Sequence, residues 1–291
     1  MNKNAVIGFY SGYNNLDTDK GGLRVFVKSF RKYNNKDLII VSLVLPIICK
    51  ELKDFCENNN CIIEILELND VKTGNRLKCY MDVFKTDIYN GYKINNILIM
   101  DMNDAIFQSD PFDINIQDKL YLACEKTTYE LFPSDYNFTQ NNFNSMQINT
   151  TWVNQCKHNN TLIINPPINP TNLIEGKKLN INEKCFFKKQ IICSGTILGN
   201  YHNIIKLLKW SYDKEGADQG LLNIYANIIS PETCLSIPLN ESDILTMDSV
   251  NFNSLKRDNK LYILNDNNKI YSICHQIDRG GHLQDFLNLC E

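Results

Sequence analysis

The chain has 291 residues, with 30 lysines and arginines against 33 aspartates and glutamates and a formal net charge of −3. That length buries a sizeable core in one large or two modest domains, and a pI near 5.9 excludes the strongly basic footprint of a nucleic-acid binder. The longest apolar stretch, Leu38 to Cys49, is broken by Ser42 and Pro46 and falls far short of the roughly 20 residues that a membrane span requires. Ala5–Phe9 is a short β-rich run closed by Ser11-Gly12, and Gly21-Gly22 then opens a segment whose Leu23, Phe26, Val27 and Phe30 recur at helical spacing. Leu38–Leu45 reads as a buried strand. Pro46 is placed to begin the next helix, which continues through Leu52 and Phe55 to the stop at Asn58–Asn60. Ile62–Leu68 is a third strand, Leu77–Ile88 a third helix, and Ile94–Met100 a fourth strand, near-continuous in apolar character as a parallel sheet covered on both faces requires. This alternation predicts right-handed crossovers and a Rossmann-like α/β half over residues 1–112.

The second half, residues 113–291, is less regular and reads as the rest of the same domain. Lys119–Cys124 is strand-like, whereas Thr127–Thr151 is aromatic, Asn-rich and short of periodicity, and Pro166, Pro167 and Pro170 punctuate a further loop. Order returns with the strand Ile191–Leu198, interrupted by Ser194-Gly195. A helix follows from about His202 to Tyr212, with Ile205, Leu208 and Tyr212 inward, and another spans Asp218 to Ile228. Strand-like pieces close the chain around Leu235–Ile237 and Lys269–Cys274.

Eleven cysteines, odd in number and never spaced as CxxC, read as reduced thiols packed as small hydrophobes. With four histidines and no clustered cysteines, a structural zinc site is not expected. The opening MNKNAVIGFYSGYN lacks a signal peptide's apolar core and cleavage site, so the expectation is a cytoplasmic chain in a reducing compartment. The asparagine surplus accompanies abundant Ile and Lys and reads as compositional bias, which strips sequons such as Asn137-Phe-Thr of weight.

The chemistry concentrates after the fourth strand, in Asp101-Met102-Asn103-Asp104-Ala-Ile-Phe-Gln-Ser-Asp110-Pro111-Phe112. Asp101 and Asp104 fall at the carboxyl edge of a buried strand, where open α/β sheets bind ligands. Two carboxylates across a tight turn converge on a hard cation, and oxygen ligands suit Mn²⁺ or Mg²⁺. The plainer reading is a pair of polar residues closing a turn.

These segments resemble the motifs of GT-A fold glycosyltransferases, enzymes that use nucleotide sugars. Asp101 to Phe112 is similar to a D-x-x-D metal motif with a trailing F-Q-x-D-P-F, as in collagen-type glycosyltransferase domains. Ile192-Cys-Ser-Gly-Thr-Ile-Leu-Gly199 resembles a strand carrying Ser-Gly beside the donor sugar. Ala217-Asp-Gln-Gly-Leu-Leu-Asn223 resembles a D-Q-x-x-L-N helix start, and His275-Gln-Ile-Asp-Arg279 a C-terminal H-Q-Y-D-R. The commoner motif places its second acid where this chain has Asn103, and Ile277 replaces the usual Tyr.

The resemblance implies a GT-A fold and a metal-dependent hexosyltransferase acting on a nucleotide-sugar donor, UDP-linked by expectation. A glycan or protein hydroxyl would accept the sugar, with no nucleic acid and no membrane span involved. It implies Asp101, Asp104 and His275 as metal ligands. Tyr10, Ser11, Arg76, Asp101, Met102, Asn103, Ser194, Gly195, Gln219 and Arg279 would hold the donor, and Asp218 or Glu125 would be the catalytic carboxylate. Each residue also has an ordinary reading. Tyr10 suits a core edge, Arg76 a solvated helix start, His275 a packed strand end and Arg279 a surface ion pair; Gly195 suits a bulge and Asp218 an N-cap. Two alternatives stand beside transfer. One is sugar-1-phosphate nucleotidyltransfer, for which Ser11-Gly12-Tyr13-Asn14-Asn15 is a poor phosphate loop. The other is a silent nucleotide-sugar or glycan-binding module. Haloacid-type phosphatase chemistry wants an acid where Asn103 stands.

Overall fold

Apolar runs in the first hundred residues become the parallel half of one sheet. The computed structural model describes residues 1–10, 22–43, 48–66, 75–84, 88–128, 140–169, 179–186, 189–247, 250, 252–260 and 262–277, with backbone alone for 126–128 and 140–145. The chain runs through β1 (Asn2–Phe9), α1 (Gly22–Tyr33), β2 (Leu38–Leu43), α2 (Lys50–Asn58), β3 (Cys61–Ile65) and α3 (Arg76–Val83), then β4 (Ile88–Tyr89), β5 (Tyr92–Asp101) and β6 (Ala105–Phe107). It continues with β7 (Leu120–Thr128), α4 (Gln140–Gln155), β8 (Lys157–His158), β9 (Thr161–Leu162), α5 (Ile181–Phe186), β10 (Gln190–Asn200) and α6 (Tyr201–Ser211). The remainder comprises β11 (Lys214–Glu215), α7 (Asp218–Ile224), β12 (Cys234–Ile237), β13 (Ile244–Thr246), β14 (Lys256–Arg257), β15 (Ile263–Leu264) and β16 (Ile273–His275).

The main sheet has the order β12-β7-β10-β5-β1-β2-β3, with β4 beside β5. Strands β3, β2, β1 and β5 are parallel, β10 lies antiparallel between β5 and β7, and β12 is parallel to β7. This is a mixed, open α/β sheet with helices on both faces, consistent with a Rossmann-like fold. Side-chain alternation explains why its central strands carry continuous apolar runs such as Ala5–Ile7 and Ile97–Met100. Val6, Val41, Leu98 and Met100 face α1, where Phe26 and Phe30 pack edge-on against Phe107 with centroids 5.0 and 5.1 Å away. Ala5, Ile7, Ile40, Ile97 and Ile99 face the opposite way, onto Leu77 and Tyr80 of α3 and Ile204 and Leu208 of α6.

Several boundaries differ from the sequence reading. Helix α2 begins at Lys50, and Pro46 lies outside the described residues. Helix α3 ends at Val83, because Ile88 belongs to a hairpin with β5. Its turn is Asn90-Gly91 with φ of 48° and 77°, the two-residue Asn-Gly hairpin signal, which apolar periodicity across Leu77–Ile88 had hidden. The stretch read as irregular contains the 16-residue α4. Its inward positions Met146, Asn149, Thr150 and Val153 have helical spacing, but two of the four are polar, so apolar periodicity alone did not mark them. Tyr212 is 42% exposed rather than inward. The asparagine surplus has a structural use: Asn60, Asn90, Asn159, Asn160 and Asn268 all take positive φ, a region that Asn tolerates better than most side chains.

The ten described cysteines are free thiols. No described helix is long and apolar enough to cross a membrane.

Candidate metal centre

Parallel register places Asp101, the last residue of β5, level with Phe9 at the end of β1. Its carboxylate therefore emerges at the carboxyl edge of the parallel strands. The chain turns through Met102, Asn103 and Asp104 and re-enters as β6, which pairs antiparallel with β16 so that Ala105 lies opposite His275. The Ile277 amide donates to the Asp104 carbonyl at 3.0 Å. Two strands remote in sequence thus bring one imidazole to two carboxylates.

The tail of the acidic motif secures this meeting. Gln108 Nε2 donates to the carbonyls of Tyr271 (2.8 Å) and Ile263 (3.3 Å), while its Oε1 accepts from the Ile263 amide at 2.8 Å. Ser109 Oγ donates to Ser272 Oγ at 2.8 Å. Asp110 Oδ1 accepts from the Phe112 amide at 3.0 Å and starts the 3₁₀ turn Pro111–Asp113. Gln108 and Ser109 thus anchor the segment that carries His275.

His275 is 1% exposed, and its Nε2 lies 3.6 Å from both Asp101 Oδ2 and Asp104 Oδ1. One donor atom from each residue fits within 4.8 Å of the others. Among the described residues, buried His275 Nε2 has no hydrogen-bond partner closer than these two carboxylates, a costly arrangement for a polar nitrogen. The other ring nitrogen, Nδ1, is 3.6 Å from the Cys193 thiol, which turns Nε2 toward the carboxylates. Two carboxylates and a neutral imidazole form the hard, oxygen-rich donor set that Mn²⁺ or Mg²⁺ takes, so the residues fit such a cation.

Gly195 of β10 leaves room for the ring. A Cβ there would lie 2.9 Å from Asp101 Oδ2 and would overlap Cε1 and Nε2 of His275. Close approach, not left-handed backbone, is what this glycine supplies. The residue after His275, Gln276, does adopt φ +62° while buried, backbone strain of the kind that gathers at functional sites.

Charges in the site favour one another. Burial alone would push the Asp101 carboxyl up, but Arg76 and His275 hold it well below the usual carboxylate range. Burial disfavours a charged His275 ring, and Cys193, Asp101 and Asp104 together outweigh it and raise its affinity for a proton. The field between the two carboxylates therefore attracts positive charge, whether a proton on His275 or a cation.

Arg76, the first residue of α3, bridges two acids. Its Nη1 donates to Asp101 Oδ1, and its Nε donates to Asp218 Oδ2 at 2.6 Å. Asp218 Oδ1 accepts from Ser194 Oγ at 3.2 Å and from the Gln219 amide at 2.7 Å. Gln219 continues the network, with Nε2 donating to Glu125 Oε1 (2.9 Å) and Asn149 Oδ1 (2.7 Å). The N-cap position of α7 is Ala217 rather than Asp218. Arg76, Asp101, Ser194, Gly195, Asp218, Gln219 and His275 line one pocket of about 180 Å³.

Seven residues picked from sequence therefore converge, with Asp104 in contact and Glu125 one hydrogen bond behind Gln219. The others do not join them. Tyr10 is fully buried with Val6, Leu23 and Phe26 in the core beneath the sheet edge, the ordinary reading of a core tyrosine. Met102 is also fully buried, and a Cβ at Gly8 would meet its Cγ at 2.6 Å. Asn103 is half-buried in the turn. Ser11 and Arg279 lie outside the described residues. Sequence reasoning missed Cys193 and Trp152, which also line the pocket. The first sat inside the strand motif; the second sits on the unread helix α4.

No known protein-family model matches the chain, and no curated protein matches it. What stands on the geometry is a mixed α/β fold with an acidic and histidine cluster of D-x-x-D form at the end of its fourth long strand.

Proposed function

We propose that this chain is a metal-dependent glycosyltransferase that moves a hexose from a nucleotide diphosphate sugar, UDP-linked, to an acceptor hydroxyl. One observation carries the reading. Asp101, Asp104 and buried His275 converge at the carboxyl edge of the parallel strands, with Asp101 and His275 on the wall of a polar pocket. The motif order of the sequence supports it from a separate direction. The cofactor is Mn²⁺ or Mg²⁺, held by Asp101, Asp104 and His275; when bound, it neutralises the charge that develops on the leaving diphosphate.

The chain's own residues do the rest. Arg76 fixes Asp101 on the metal side and Asp218 on the sugar side, so the two halves of the site keep one spacing. Ser194 and Gln219 orient Asp218 and offer hydrogen bonds to sugar hydroxyls. Asp218 lines the pocket and is the better placed carboxylate to receive the acceptor's proton. Glu125 is 4% exposed and reaches the pocket through Gln219, so it acts as a positioning residue.

A melting-point screen of nucleotide sugars with Mn²⁺ tests this. A ligand that binds only the native state stabilises it by about 2.7 kcal/mol at a hundred times its Kd. A UDP-sugar that raises Tm only when Mn²⁺ is present supports the reading. If no nucleotide sugar shifts Tm, the proposal fails.

A further inference from the structure

Resting on the reading above, we infer that Trp152 is a platform on which a pyranose ring stacks, so the group handled beside the acidic centre is a saccharide. Trp152 lies on α4 and lines the pocket beside Ala217, Asp218 and Gln219. The described lining is otherwise polar or small: guanidinium, carboxylate, hydroxyl, amide and imidazole, with the Cys193 thiol and the residues Gly195 and Ala217. A pyranose has that same division, with one face of C–H groups and a rim of hydroxyls. The indole suits the face and the polar side chains suit the rim. A pocket of about 180 Å³ is on the scale of one sugar ring rather than a folded peptide segment.

The platform is held in place. A Cβ at Gly220 would lie 2.7 Å from the Trp152 carbonyl oxygen, so this glycine lets α4 close directly onto α7. Asn149, one turn before Trp152, accepts from Gln219 Nε2 at 2.7 Å. One turn after it, Cys156 Sγ donates to the Trp152 carbonyl at 3.1 Å and packs where side chains at Gly216 and Gly220 would be. The backbone of Trp152 is thereby tied to the helix that carries Asp218, while its side chain remains half-exposed at the pocket. An aromatic side chain carried on a tied backbone beside hydrogen-bonding groups has few torsions to lose on binding.

Two sources supply a pyranose here, the acceptor and the donor's own sugar, and the test separates them. The whole chain, with Mn²⁺ and UDP, is titrated with maltotriose, chitotriose and N-acetyllactosamine by calorimetry and tryptophan fluorescence. UDP-glucose, UDP-galactose and UDP alone are titrated separately. An acceptor platform predicts that one saccharide binds and perturbs indole emission, and that Trp152→Ala weakens it about tenfold or more while Trp152→Phe restores most of the affinity. A donor platform predicts the same loss for a UDP-sugar and none for UDP. In both cases Mn²⁺ affinity and the melting point stay near the parent values. Should Trp152→Ala fail to fold, the emission change in the parent protein and its absence in Trp152→Phe still decide the matter. Saccharide and UDP-sugar affinities unchanged in Trp152→Ala, or no saccharide or UDP-sugar binding at all, would overturn the inference. Failure of UDP itself to bind with Mn²⁺ overturns the transfer reading instead and leaves the saccharide arm to judge Trp152.

Discussion

Replacing Gly195 with alanine probes the acidic centre through one methyl group. Its Cβ would stand 2.9 Å from Asp101 Oδ2 and overlap the His275 ring. The ring has nowhere to retreat, being 1% exposed and backed by the Cys193 thiol 3.6 Å from Nδ1. Overpacking of this kind costs roughly 1–3 kcal/mol, and for domains of 150–250 residues each kcal/mol lowers Tm by about 2–4 °C. The larger effect falls on the metal. A displaced imidazole removes one of the three proposed ligands, and disturbing even the outer partners of a metal-bound histidine costs about 10–100-fold in affinity. Calorimetric titration with Mn²⁺ should therefore show at least a tenfold loss in Gly195→Ala, with circular dichroism confirming the fold. A folded alanine variant that binds Mn²⁺ as tightly as the parent would refute the placement of His275 among the ligands.

Cys193→Ala removes the group that holds His275 Nδ1 and should weaken Mn²⁺ about tenfold or more by equilibrium dialysis, whereas Cys193→Ser keeps a hydroxyl there and recovers most of it. Gln108→Ala strands the Ile263 amide and the Tyr271 carbonyl, costing about 1–3 kcal/mol in urea melts and loosening the segment that presents His275. Gly216→Ala meets both φ +129° and Cys156 Sγ at 2.8 Å, so a loss of about 1–3 kcal/mol is expected by the same melts. Burial pushes the thiols of Cys124 and Cys156 up to about 12 and that of Cys234 up to about 11, from an ordinary 9.0. A thiol whose folded pKa is raised favours the native state below the unfolded value, so this stability is fully present below about pH 9 and fades as pH climbs toward 12. Urea midpoints measured from pH 8 to 11 should fall across that range, and a flat profile would contradict the burial of these thiols.

Local signals made much of the site legible. Asp101 and Asp104 come at the end of a strand whose Ile97–Met100 run is continuously apolar because both of its faces are covered, so the carboxyl edge could be located from sequence. Ser194, Gly195, Asp218 and Gln219 were marked by breaks in periodicity and a helix start, and the fold brings them together. The bridge from Arg76 to Asp101 and Asp218 was hidden, because it joins residues 25 and 142 positions apart. Helix α4 was hidden by its polar inner face, and Trp152 with it. Tyr10 stands apart for a different reason. The end of a strand predicts nearness to the ligand edge, but not whether a side chain points outward or into the core, where it is fully buried.

The central claim is metal-dependent transfer, and donor turnover tests it most directly. Release of UDP from UDP-glucose or UDP-galactose should be followed with Mn²⁺, with excess chelator, and with Mn²⁺ restored, in the parent chain and in Asp104→Ala. The account predicts turnover with Mn²⁺, its loss in chelator, its return on restoration, and little or none in a folded Asp104→Ala protein. Turnover that persists undiminished in chelator, or in that variant, would contradict it.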